Sequence, residues 1–162
     1  MISIRKANKA DANAIRDIYN WYIKNTIITF ETEEIDQKEI ENRIQNVMSK
    51  YDWLVALEDN VIVGYAYYGQ FRARAAYNHT VETAIYLRHD LIGKGTGHFL
   101  YDALFQSAKE KGYKEFIGVI SVPNPESVKF HQKWDFKEVG YLTKVGYKFD
   151  EYIDICLMQK SL

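Results

Sequence analysis

Apolar positions along this chain change their spacing often enough to mark out its elements one by one. Ile2 and Ile4 alternate with polar neighbours, the two-residue period of a half-buried strand. From Asp11, a residue type that caps helices, Ile15, Ile18, Tyr19 and Tyr22 recur at helical spacing and predict a first helix. A second is predicted from Asp36, with Glu39 as the reciprocal half of a capping box and Ile40, Ile44 and Val47 as its apolar face. The runs WLVAL and VIVGYAYYGQF flank the turn EDN and read as a hairpin. TVETAIYL is a further strand. It leads through the glycine-rich IGKGTG into the helix HFLYDALFQSAKEKG, which Gly112 closes. EFIGVISV is a strand, and NPESVKFHQKW is a short helix with Asn124 as N-cap and Pro125 in the first position. KEVGYLTK and YIDICLMQ are closing strands. The order β-α-α-β-β-β-α-β-α-β-β combines hairpins with crossover helices. It predicts an α/β fold of the α+β type, one mixed sheet covered by helices on both faces, in a single domain over residues 1–162.

Composition narrows the partners more than the fold. A formal net charge of −1 gives no electrostatic footprint for nucleic acid. The lone cysteine, Cys156, excludes an internal disulfide and a cysteine metal cluster, and its apolar setting YIDICLM predicts a buried thiol. No metal is expected. The N-terminal MISIRKANKAD carries neither a long apolar segment nor a cleavage pattern, so a cytoplasmic protein without a membrane span is expected. Thirteen tyrosines are many, and they suit a pocket or an interface as well as ordinary half-buried strand positions.

The candidate chemistry begins at Ile92–Gly97, IGKGTG. The spacing fits neither G-x-x-x-x-G-K-[ST] nor G-x-G-x-x-G, so a plain strand-to-helix turn is one reading. The other is an anion site. Free N–H groups and the helix dipole attract a phosphate, the bare glycines let it approach the backbone, and Lys94 adds charge. Glu82 lies mid-strand, with Ala84 and Tyr86 on one face while Val81, Thr83 and Ile85 share the other. It is either a surface or ion-paired glutamate or a base that takes a proton from an amine. His131 and Asn124 have equally ordinary readings, a structural histidine and a helix cap. Arg72, Arg74 and Tyr77, just before Glu82, form either a charged turn or a grip on a small anionic substrate.

Taken together, the glycine loop, the element order and SVPNPESVKFHQKWDF resemble the GNAT N-acetyltransferase superfamily. Within it, ITFETEE, GYAYYGQFRARAAYNHTVE, SVPNPESVKFHQKWDFKEVGYL and VGYKFDEYIDI are similar to the phosphinothricin and methionine sulfoximine or sulfone N-acetyltransferase group. The resemblance implies an acyl-CoA N-acyltransferase fold, acetyl-CoA as co-substrate, a small-molecule amine as acceptor, and a homodimer. It implies Glu82 as general base, with His131 where most members carry a tyrosine acid. Gly93, Lys94, Gly95, Thr96, Gly97, Asn124 and the strand amides near Tyr86 and Leu87 are implied on the CoA side. Phe30, Tyr67, Arg72, Arg74, Tyr77 and Ser121 are implied around the substrate. Four positions depart from the pattern: Ile92 replaces an Arg or Gln, Arg72 a lysine, Ser121 a glycine and Tyr152 a tryptophan. Two further readings stand beside this one: an acetyltransferase acting on peptide or protein amines, and a non-catalytic acyl-CoA-binding module.

Overall fold

In the computed structural model, which describes residues 1–162, the chain runs β1 (Ile2–Lys6), α1 (Ala12–Asn25), α2 (Gln37–Met48), β2 (Trp53–Glu58), β3 (Val61–Gln70), β4 (Thr80–Leu87), α3 (Thr96–Glu110), β5 (Glu115–Val122), α4 (Pro125–Lys133), β6 (Lys137–Lys148) and β7 (Glu151–Ser161). This is the order the sequence predicts. The seven strands form one sheet, β1-β2-β3-β4-β5-β7-β6. Only β4 and β5 are parallel; every other pair is antiparallel.

Alternation along the strands divides the interior in two. Trp53, Val55 and Tyr65 face α1 and α2, packing with Ile15, Ile18, Ile40 and Ile44. Leu54, Ala56, Val81 and Phe116 point the other way, against Leu100, Tyr101 and Leu104 of α3, and Cys156 is buried with them. Strand β2 is buried on both faces, so it reads as a continuous apolar run. Burying one such isoleucine or leucine stabilises by about 1.5–3 kcal/mol, and Ile15 and Leu104 are both fully buried.

The helix caps refine the sequence reading. Asp36 accepts the Glu39 N–H at 2.8 Å as expected, but the Glu39 carboxylate turns to Arg43 at 2.8 Å and closes no capping box. Asp11 does not cap α1 through its side chain. Asn8 caps a short 3-10 turn ahead of the helix, and Asp11 accepts the Asn8 N–H at 2.9 Å and a bidentate pair from Arg5 at 2.7 and 2.9 Å. The Arg5 guanidinium holds the Asp11 carboxyl below its ordinary value.

The feature that positions a site is a fork in the middle of the sheet. β4 and β5 pair only from Thr80↔Glu115 to Thr83↔Gly118. Beyond that point each strand stays with its other neighbour: β4 pairs with β3 as far as Leu87, and β5 with β7 as far as Val122. The two halves of the sheet therefore part after Thr83 and Gly118. β6 is the far edge, longer than the sequence predicts and joined to β7 by a tight turn in which Phe149 and Asp150 both have positive φ.

Candidate active site

Two joined cavities fill the fork. One, of about 310 Å³, is lined by Glu82, Thr83 and Tyr86 from β4, Gly118 and Ser121 from β5, and His131 from α4. The other, of about 430 Å³, runs along Leu87, Gly93, Gly95 and Gly97 toward Phe130 and Lys133. Ile85, Tyr86, Asn124 and Ser127 wall both.

Glu82 and His131 stand on opposite sides of the sheet. The alternation read from the sequence holds: Val81 and Ile85 pack with α3, while Tyr86 packs with Tyr19, Tyr22 and Tyr65 on the α1 side. Glu82 shares the Tyr86 face and sits opposite Gly69 of β3, which offers no side chain to pair with it. Solvent reaches the carboxylate through the mouth of the cavity. Its walls still strip enough water to raise the Glu82 pKa above the ordinary carboxylate value, and loss of water is the only influence on it. An unpartnered carboxylate held this way is a better base than an ion-paired one.

His131 is buried, and burial lowers its pKa. Its Nδ1 lies 2.7 Å from the Ser127 carbonyl and its Nε2 lies 2.8 Å from the Tyr101 hydroxyl. Gly118 makes room for the ring, since a Cβ there would sit 3.2 Å from the imidazole.

The glycine loop adopts a conformation that other residues resist. Gly93 and Gly95 have φ of +90° and +85°. Gly95 is the N-cap of α3 and gives it no side-chain cap; His98 donates its N–H to the Gly95 carbonyl at 3.1 Å, and the Thr96 and Gly97 N–H groups are left for another acceptor. A Cβ on either glycine would meet no protein atom within 4 Å, so the space in front of that backbone is open. Gly97 instead serves packing. A Cβ there would come 3.2 Å from the Phe130 ring, so glycine lets α3 and α4 close up. Lys94 is exposed and Thr96 buried, and neither lines the cavity.

The strand amides divide in a way the sequence did not show. Arg88 donates its N–H to Val63 of β3 at 2.9 Å. The two-residue alternation of the ladder then points the Tyr86 amide at β3 and the Ile85 and Leu87 amides into the fork. Of the two residues expected to offer amides, Leu87 keeps that place; Tyr86 lines the wall instead.

Phe30, Tyr67 and Ser121 line the same cavity as Glu82, joined by Tyr19. The segment carrying Phe30 is fastened from across the cleft. Ser121 donates to the Ile27 carbonyl at 2.6 Å, and the buried Lys148 ammonium donates to the Thr29 carbonyl at 2.9 Å. Gly146 lies under the Phe30 ring, where a Cβ would approach within 2.4 Å. Arg72, Arg74 and Tyr77 line neither cavity. They occupy the exposed connection between β3 and β4, where the Arg72 guanidinium is drawn onto the rings of Phe71 and Tyr77, 5.2 and 5.8 Å away.

Several wall residues were absent from the sequence reading: Tyr19, Tyr101, Ser127, His98 and Lys133. Tyr19 and Tyr101 sit on apolar helix faces and read as core. His98 and Lys133 lie on surfaces of α3 and α4 that face each other only in the folded chain.

A family model described as an acetyltransferase (GNAT) domain matches residues 4–157. The phosphinothricin N-acetyltransferase of Streptomyces viridochromogenes is 35% identical over 99% of this chain and 87% of its own length. The L-methionine sulfoximine/L-methionine sulfone acetyltransferase of Salmonella typhimurium is 30% identical over 99% of this chain and 95% of its own. Among solved structures, a phosphinothricin acetyltransferase from Sinorhizobium meliloti in complex with acetyl-CoA has a TM-score of 0.96 at 31% identity, covering 99% of this chain and 88% of that one. A ribosomal-protein-alanine N-acetyltransferase from Brucella melitensis has a TM-score of 0.96 at 32% identity, covering 99% of each chain. With the forked sheet, the glycine turn ahead of α3 and a family match over nearly all its length, the chain belongs to the GNAT acetyltransferases.

Proposed function

We propose that this protein transfers an acetyl group from acetyl-CoA to the α-amino group of a small amino-acid analogue of the phosphinothricin, methionine sulfone or methionine sulfoximine type. One observation carries the reading: an unpartnered carboxylate and a bare glycine turn open into the same fork from opposite sides of the sheet.

The fork suits the donor. Gly93, Gly95 and the open N-terminus of α3 would receive its diphosphate through backbone N–H groups, with Lys94 adding charge at long range. The Ile85 and Leu87 amides provide donors where a carbonyl oxygen gains charge. Ile92, exposed in place of the family's Arg or Gln, removes one side chain from this contact and leaves the backbone ones. Acetyl-CoA supplies a thioester; in the net reaction one ammonium proton goes to Glu82, the C–N bond forms, the C–S bond breaks, and the second nitrogen proton ends on sulfur. Glu82 takes the first proton because an amine attacks only once deprotonated, and an amino-acid ammonium is mostly protonated at neutral pH. We assign Glu82 to the amine half, and we place His131, across the sheet, as a neutral ring that lines the same cavity and supplies no proton. Tyr19, Phe30 and Tyr67 enclose the amine side. Arg72 and Arg74 have no ion-pair partner in this chain but lie outside both cavities, so this reading gives them no contact with the substrate.

The peptide-acetylating reading is favoured by the Brucella structure. A panel assay separates the two. Methionine sulfone and sulfoximine are expected to give the highest kcat/KM, phosphinothricin less, and an alanyl or methionyl dipeptide least. Ser121 motivates the middle rank, since it adds a side chain to the wall where phosphinothricin specialists have glycine, and one small group changes discrimination by about 1–3 kcal/mol. A dipeptide that wins by a wide margin transfers the site to peptide amines. No thiol release with any amine would leave only an acyl-CoA-binding module.

The reading includes a homodimer formed through the β6–β7 edge. Tyr141, Val145, Tyr147, Phe149 and Tyr152 are each at least 50% exposed there, large apolar side chains that a monomer would leave in water. Sedimentation velocity is expected to give twice the 19.0 kDa chain mass, and a monomer at every concentration overturns the dimer.

A further inference from the structure

Tyr101 is fully buried in α3, an aromatic on a helix face that otherwise builds core. Its hydroxyl nevertheless ends at the fork. The oxygen lies 2.8 Å from His131 Nε2 and 3.3 Å from Thr83 Oγ1, and Thr83 is the last residue of β4 to pair with β5. The hydrogen positions follow from the partners. The Ser127 carbonyl, 2.7 Å from Nδ1, can only accept, so Nδ1 carries the imidazole hydrogen. Nε2 of a neutral ring is then a bare acceptor, and the single Tyr101 O–H hydrogen, which could also go to Thr83 Oγ1 at 3.3 Å, is given to the nearer nitrogen at 2.8 Å.

From this geometry, and resting on the acetyl-transfer reading, we infer that Tyr101 is a positioning residue for the reaction: it holds His131 neutral, with its hydrogen on Nδ1 and its ring fixed over Gly118 where the strands part. A donor to the Nε2 lone pair stabilises the neutral ring, and the dry surroundings act in the same direction. The groups that face His131 are few. α3 presents Tyr101, β4 presents Thr83, β5 presents Gly118, α4 presents Ser127 and Phe130, and Phe136 closes the far side. Of these only Tyr101 titrates, and burial keeps its phenol protonated far above neutral pH. The charged residues of α4 that reach the cleft, Glu126 and Lys133, line the neighbouring cavity without bonding to the ring.

The consequence falls on Glu82. Both residues border the same cavity. An imidazolium there would favour the ionised carboxylate and lower its basicity, cancelling what the loss of water provides. By keeping His131 neutral, Tyr101 keeps the base strong, and no step draws on a histidinium acid.

The test uses the full-length protein with nitrogen-labelled histidine. In the wild type, the His131 signals should show hydrogen on Nδ1 and a free, hydrogen-bonded Nε2, with titration below the ordinary imidazole value of about 6.5. In Y101F, the His131 pKa should rise, the two tautomers should mix, and kcat should fall by about tenfold, the worth of one hydrogen bond. The limb in which kcat/KM rises with pH should move to lower pH, while KM for acetyl-CoA stays put. In an H131A background, Y101F should add little. Hydrogen on Nε2 in the wild type overturns the inference, as do unchanged shifts and pH profile in folded Y101F. If Y101F does not fold, the wild-type tautomer decides alone. Wild type inactive on every amine would instead overturn the acetyl-transfer reading, whatever the nitrogen shifts show.

Discussion

Replacing Glu82 with glutamine is expected to lower kcat on the order of 10²–10⁴-fold, the usual cost of removing a general base, while acetyl-CoA affinity stays close to that of the wild type. Glutamine keeps the shape and loses the ability to take a proton. The carboxylate it replaces has no hydrogen-bond or ion-pair partner to orphan, so the fold should not suffer. The pH dependence gives a second signature. Loss of water raises the Glu82 pKa, so the ascending limb of kcat/KM should sit above the ordinary carboxylate range and vanish in E82Q. The sign for stability follows from the same shift. The folded chain binds this proton more tightly than the unfolded one, so Glu82 costs stability as pH rises through its folded pKa. E82Q should therefore unfold at a temperature equal to or above that of the wild type near neutral pH. Stopped-time assays across pH, with calorimetry of acetyl-CoA binding, check all of this. Near-wild-type turnover at neutral pH would remove Glu82 from the mechanism.

That Glu82 stands out at all shows what this sequence makes legible. Period-two alternation places Glu82, Ala84 and Tyr86 on one face, and the structure keeps them there, because β4 is fixed on one side by β3 from Val81 to Leu87. Elements with clear caps, such as the short helix that Asn124 opens ahead of Pro125, were equally readable: the Asn124 side chain accepts the Ser127 N–H at 3.2 Å. What could not be read depends on contacts between distant segments. Nothing in TVETAIYL or EFIGVISV says that the two strands pair over four residues and then part. Asp11 looks like a helix cap until Arg5, on the preceding strand, claims its oxygens. Arg72 and Arg74 precede Glu82 closely in sequence, by ten and eight residues, yet the connection carries them outside both cavities. Tyr101 was hidden for the opposite reason. Its apolar neighbours and complete burial describe a core residue, and only the histidine arriving from α4 gives its hydroxyl a partner.

A Gly95→Val substitution is expected to weaken acetyl-CoA binding by about 10- to 100-fold or more, the loss that follows when one or more backbone N–H bonds to a charged group, worth about 1.5–3 kcal/mol each, is broken. Two effects combine. Gly95 has φ +85°, a conformation in which a β-branched residue is strained by about 1–2 kcal/mol, so the turn ahead of α3 will shift to relieve it. The new side chain also enters space that no protein atom occupies within 4 Å, in front of the N–H groups proposed to receive the diphosphate. Strain alone has its own control. Gly112 closes the same helix at φ +86° and lines neither cavity. Gly112→Val should lower the melting temperature to a similar extent and leave acetyl-CoA affinity intact. Gly95→Ala, with a smaller side chain at the same φ, should fall between the wild type and Gly95→Val in affinity. Titration calorimetry on the three variants, each first shown to be folded by its melting transition, separates the loop's part in binding from its part in folding. Unchanged affinity in folded Gly95→Val would mean that the glycine turn serves only to join β4 to α3.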